Sequence, residues 1–154
     1  CNGCQLMMEL GLIDTGTAPR PVMEHNDSRK FESAFLNVDI LPNPSVMLGN
    51  MEGMRLGIWV AHGEGKFILG GAEEEYRIAM KYSRSFYPAN PSGSEYDTAA
   101  LCSPDGRHLA MMPHMERAFR PYQWAYYPAG RKQDEITPWM QAFVNAREWI
   151  CKKL

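Results

Sequence analysis

The sequence predicts a single α/β domain, and three observations predict it. The run Gly57-Ile58-Trp59-Val60-Ala61 is continuously apolar and suits a buried strand. Residues 31–41 alternate apolar and polar positions, which suits a half-buried strand. From Thr137 onward the apolar residues recur at helical spacing. With 154 residues the chain is about one domain long, and no repeat, linker or low-complexity segment divides it.

Residues 4–12 carry Cys4, Leu6, Met7, Met8, Leu10 and Leu12, a short and nearly all-apolar helix with Gly11 as its stop. Pro19-Arg20-Pro21 and His25-Asn26-Asp27-Ser28 are loop material. The strand over 31–41 closes on Pro42-Asn43-Pro44. The strand over 57–61 empties into His62-Gly63-Glu64-Gly65, and residues 66–69 begin another. Glu73-Glu74-Glu75 followed by Ile78 and Met80 predicts a short helix with an acidic first turn, although a solvated charge run accounts for the glutamates equally well. Residues 87–94, with two prolines and a glycine, predict a loop. Residues 98–102 and 108–112 flank Ser103-Pro104-Asp105-Gly106, whose turn chemistry predicts a hairpin. In the closing helix Thr137 is the N-cap and Pro138 the first helical residue, with Trp139, Met140, Phe143, Val144, Ile150 and Leu154 on its apolar spacing.

Composition excludes several functions. A formal net charge of −2 argues against a nucleic-acid partner, which would require a strongly basic face. No apolar run approaches the ~20 residues of a membrane helix. A hydrophobic share of 45%, with 11% aromatic residues, excludes disorder and supplies a packed core. Four cysteines without a secretory signal imply a reducing, cytoplasmic compartment. The opening Cys1-Asn2-Gly3-Cys4-Gln5 has no initiator Met, so a processed or truncated piece of a longer protein is expected.

Chemistry concentrates on Cys1 and the histidines. A cysteine followed by Asn-Gly and a helix suits a strand-to-helix elbow, where the helix N-terminus lowers the thiol pKa and offers backbone N–H groups. The bland alternative is a Cys-x-x-Cys pair with Cys4. Zinc would require a second pair, and Cys102 and Cys151 are isolated, so no metal site is expected. Among the histidines, His108 lies in a strand pattern, His25 in a polar loop, and His62 ends an apolar strand between small residues. His114 has Glu116 two residues on, and a carboxylate there can fix the imidazole tautomer. Cys1, His114 and Glu116 thus form a candidate catalytic set. A His-x-Glu pair also arises by chance, which leaves a non-catalytic interaction domain as the alternative.

Cys1-Asn2-Gly3-Cys4-Gln5 resembles the nucleophile motif of class I, triad-type glutamine amidotransferases, and Met112-Pro113-His114-Met115-Glu116-Arg117 resembles their His-x-Glu segment. Residues 60–65, 87–94, 117–124 and 138–147 are similar to the branch in which such a glutaminase domain closes a large synthase of purine biosynthesis. The resemblance implies a flavodoxin-like three-layer α/β/α fold, with this chain its C-terminal part over 1–154, starting at the nucleophile elbow and missing the first strands. It implies that Cys1 attacks the side-chain amide of glutamine to give a glutamyl thioester, with His114 as the proton carrier and Glu116 orienting it. Asn2, Gln5 and His62 match positions that help to hold the glutamine. Ammonia would pass to a synthetase region of the same parent chain, which uses ATP and Mg²⁺ to turn formylglycinamide ribonucleotide into the formylglycinamidine; no cofactor is implied for these 154 residues. Position 115 is often Pro in relatives and is Met here. Of the oxyanion donors, the resemblance leaves the one from Asn2 within this chain, so weak or absent activity is expected of the chain alone. A different cysteine hydrolase of the same fold is the remaining alternative. Two surfaces follow: an open sheet edge with an apolar face, and an aromatic, basic stretch (Arg117, Arg120, Tyr122, Trp124, Tyr126, Tyr127) that packs on the rest of the parent.

Overall fold

The computed structural model describes residues 2–14, 16 and 18–153. The chain opens with helix α1 (Asn2–Glu9). It ends as expected at Gly11, which takes φ +67°, a conformation without steric cost only for glycine. Gly11 N donates to Met8 O and Leu12 N to Met7 O, the paired bonds of a Schellman cap. The Arg20 guanidinium also donates to the carbonyls of Met8 and Glu9, which sets a cation at the C-terminal end of the helix.

Seven strands follow among the described residues: β1 (Val22–Glu24), β2 (Glu32–Ile40), β3 (Arg55–His62), β4 (Lys66–Ile68), β5 (Ile78–Tyr82), β6 (Thr98–Cys102) and β7 (Leu109–Met111). Helix α2 (Met140–Lys153) closes the described chain. Five strands form one antiparallel sheet in the order β3-β2-β5-β6-β7, while β1 and β4 pair as a separate antiparallel ribbon. The β6–β7 hairpin forms as predicted: Gly106 N donates to Ser103 O, and Ser103 N to His108 O.

The sheet is packed on both faces, because alternate residues of its strands enter different cores. Ala100 and Cys102 join Val38, Ile58, Val60 and Trp139 in one core. Leu101, between them, joins Cys4 and Met8 of α1, Phe67 and Met112 in the other. Two-sided burial is what makes this an α/β domain although the strands described pair antiparallel.

Three local expectations are corrected. The helix expected over 73–80 is a single 3-10 turn, Glu73–Glu75, followed by β5. Ile78, Ala79, Met80 and Tyr82 are all buried, and the central place of β5 between β2 and β6 overrides local helix propensity. The ribbon strand β1, next to Pro21, carries no sequence signal of its own. Strand β3 lies at the edge of the sheet, yet it is buried because other elements cover that edge. Trp139 Nε1 donates to Gly57 O at 2.8 Å, and His114 N to Trp59 O at 2.8 Å. The open edge expected of the sheet is thereby limited on this side, and on the far side β7 is three residues long.

Helix α2 begins at Met140, two residues after the Pro138 expected to open it, and Thr137 caps the turn that leads into it. Thr137 Oγ1 accepts from Trp139 N at 3.3 Å and donates to Ala118 O at 2.6 Å, tying the cap to the segment after β7. No helix among the described residues is long and apolar enough to cross a membrane.

Candidate functional site

The end of β3, the first turns of α1 and the segment after β7 converge at one end of the sheet. That last segment is aligned by an antiparallel bridge between Trp59 and His114. It then enters a 3-10 turn, Met115–Arg117, whose Met115 side chain is buried in the core beneath. The tight turn brings Glu116 back beside the ring, with His114 Nδ1 2.6 Å from Glu116 Oε1. A carboxylate accepts and does not donate, so Nδ1 carries the proton and Nε2 of the neutral ring keeps its lone pair. That Nε2 is buried and has no partner among the described residues. Arg117 Nε lies 3.7 Å from the same glutamate oxygen. A ring with an oriented Nδ1–H and an unengaged Nε2 is equipped to take a proton.

His62 is fully buried at the end of β3. Its Nδ1 lies 3.0 Å from Asn26 Oδ1. The Asn26 amide orientation follows from its other bonds, because Nδ2 donates to His62 O at 2.8 Å and to Lys30 O at 2.9 Å. Oδ1 is therefore the acceptor, also of Gly65 N at 3.0 Å, and His62 carries its proton on Nδ1. Burial pushes the His62 pKa down to about 4, with the nearby positive form of His114 acting in the same direction and Glu32 opposing. A Cβ on Gly65 would stand 2.3 Å from His62 Nδ1, so only glycine lets the turn close over the ring.

Gln5, on α1, reaches this turn. Its Nε2 donates to Glu64 Oε2 at 3.0 Å and to Glu64 O at 3.3 Å. His25 Nδ1 is 3.5 Å from Glu64 Oε1, a partner 39 positions away that sequence spacing does not reveal. Asn2 opens α1 and is exposed. The structure thus brings Gln5 and the His62 turn together and places His114 near them, while Cys1 lies outside the described residues. The loop over 90–94 braces the turn: Ser94 Oγ accepts from Phe67 N at 3.0 Å and donates to Gly65 O at 3.3 Å.

Cys4 is a packing residue. Burial pushes its thiol up to about 12, which removes it as a thiolate ligand or nucleophile at neutral pH. Among the described residues no group of three or more His, Cys, Asp or Glu side chains is arranged to hold a metal ion. Of the aromatic, basic stretch, Trp124 belongs to the fold itself, donating from Nε1 to Ala118 O and packing 5.5 Å from the Phe35 ring. Tyr122 and Tyr126 remain exposed, at 83% and 74%.

Two residues escaped the sequence reading. Asn26 sits in a stretch with no feature beyond loop composition. Glu32 had a signal: it shares the period-two face of Ala34, Leu36, Val38 and Ile40, an inward phase on which a charge is out of place. Glu32 stands directly across from His62 in the β2–β3 register, and its Oε1 is buried with no partner among the described residues.

Residues 1–150 match the model of the CobB/CobQ-like glutamine amidotransferase domain family. The chain is 40% identical over 173 residues to phosphoribosylformylglycinamidine synthase of Drosophila melanogaster, covering 99% of this chain and 13% of that protein. It is 40% identical over 173 residues to a probable phosphoribosylformylglycinamidine synthase, chloroplastic/mitochondrial, of Arabidopsis thaliana, covering 97% and 12%. The structure of PurLQS from Thermotoga maritima has the same fold at a TM-score of 0.72 and 21% identity, covering 97% of this chain and 59% of that one. The chain therefore spans roughly an eighth of the length of the relatives it matches.

Proposed function

The chain belongs to the CobB/CobQ-like glutamine amidotransferase domain family, and from that membership we propose that it hydrolyses the side-chain amide of glutamine through Cys1, His114 and Glu116. The observation that carries the reading is the 2.6 Å contact between His114 Nδ1 and Glu116 Oε1, which leaves Nε2 buried with a free lone pair.

The Cys1 thiol gives its proton to His114 Nε2 as sulfur attacks the amide carbon. The resulting imidazolium, stabilised by Glu116, returns the proton to the leaving nitrogen, which departs as ammonia. Water, deprotonated by His114 Nε2, then attacks the glutamyl thioester, and the same imidazolium returns the proton to sulfur as glutamate leaves and the thiol is restored. Asn2 N–H faces the developing oxyanion, and Gln5 and the His62 turn hold the substrate. The names of the relatives support a purine-biosynthetic setting. There the ammonia would serve the ATP- and Mg²⁺-dependent conversion of formylglycinamide ribonucleotide to the formylglycinamidine by a synthetase region of the same protein. The free thiols of Cys4, Cys102 and Cys151 support a reducing compartment, and the cytoplasm is our reading, with an organelle the alternative suggested by the plant relative.

The test is intact mass and peptide mapping after exposure to a glutamine-like diazoketone, with iodoacetamide as the general thiol control. The reading expects one adduct, on Cys1, blocked by excess glutamine. Alkylation of Cys1 by iodoacetamide but not by the analogue, in the complete protein that carries this domain, would refute it. The chain alone is expected to turn over glutamine weakly or not at all, since the family resemblance puts a second oxyanion donor outside these 154 residues and one such donor is worth about 10²–10³ in rate.

A further inference from the structure

We propose that the Glu32 carboxylate and the Nε2 lone pair of His62 form a two-acceptor pocket that takes the α-ammonium of the amino-acid substrate. The inference rests on the glutaminase reading and names the substrate group that this corner of the site recognises.

The two side chains are cross-strand partners on the inward face of β2 and β3, so they emerge side by side. The bonds of Asn26 force His62 into the Nδ1–H tautomer, which makes its buried Nε2 an acceptor. Glu32 Oε1 is also buried and also an acceptor, and neither atom meets a donor among the described residues. Burying an acceptor without a partner is costly, and two such acceptors on paired positions call for a group with several N–H donors, which a compact cation supplies. A purely structural charge on this face would be met by an arginine or lysine, and the register opposite Glu32 supplies the histidine acceptor instead. Glutamine carries one cation, its α-ammonium, with three donors in a compact group. The bridge between Trp59 and His114 puts the proposed base three residues along β3 from His62, and Gln5 holds the neighbouring Glu64.

The test compares glutamine with 4-carbamoylbutyrate, the same amide without the α-amino group, in the complete protein that carries this domain. In Glu32→Gln the new amide can donate to His62 Nε2 and close the pocket from within, so the unfolding temperature should equal or exceed that of the wild type. With glutamine, kcat/KM should fall about 10- to 100-fold, mostly through KM, as expected for a lost charge-assisted bond. With 4-carbamoylbutyrate it should stay unchanged, and Glu32→Asp, which keeps the charge, should recover part of the loss. An equal fall for both substrates, or no change for either, overturns the proposal while leaving the glutaminase reading intact. Failure of the wild type to hydrolyse either substrate overturns the glutaminase reading and the pocket with it.

Discussion

His114 and Glu116 meet at 2.6 Å because a 3-10 turn, anchored by buried Met115, folds position i+2 back onto the ring of position i. In an extended strand the same two side chains would share a face but stand about 6.6 Å apart along the chain. The contact therefore depends on where β7 ends. The bridge to Trp59 sets that point, since it stops the segment at His114 and leaves Met115 free to turn into the core.

Glu116→Gln tests the role of that contact. A glutamine amide can donate to Nδ1, which moves the ring proton to Nε2 and blocks it as a base. Glutamine-dependent turnover should fall by about 10²–10⁴. Turnover supplied with ammonium chloride in place of glutamine should hold in the complete protein. Equal loss with both nitrogen sources would show that the variant damages more than the proton carrier.

Stability should depend on pH through His62. Its folded pKa is held down to about 4, below the ordinary 6.5, so the unfolded chain binds a proton more readily. The contribution is therefore fully present above pH 6.5 and drains away as pH falls toward 4. Over that window it amounts to about 3 kcal/mol. Urea unfolding at steps between pH 8 and pH 4 measures the slope, and His62→Gln should flatten it.

Gly65→Ala puts a methyl group 2.3 Å from His62 Nδ1, on a ring already held by Asn26. The ring has no free end to swing aside, so the turn or the histidine must move. A destabilisation of about 1–3 kcal/mol is expected in denaturant melts. KM for glutamine should rise in the same variant. Unchanged values of both would mean that the turn is looser than its hydrogen bonds imply.

The described thiols should separate cleanly in native alkylation. Burial pushes Cys4 up to about 12 and Cys102 up to about 11, whereas Cys151 is exposed. Iodoacetamide at pH 8, followed by peptide mapping, should label Cys151 and spare Cys4 and Cys102. Modification of Cys4 in the folded protein would place α1 off its core.

Local chemistry was enough to read much of this protein from its residues. Gly11 ends α1 because left-handed backbone favours glycine, Ser103-Pro104-Asp105-Gly106 turns β6 into β7, and Thr137 caps the approach to α2. His114 and Glu116 were legible as a pair for the same reason, being two residues apart. Partners far apart in the chain were not. Glu32 faces His62 only once the β2–β3 register is set, and Asn26 fixes the His62 tautomer across 36 positions. Residues 78–82 became strand rather than helix because the sheet required a central member there. Spacing carries the geometry of turns and caps, whereas cross-strand register and the protonation of a buried ring exist only after distant segments have packed.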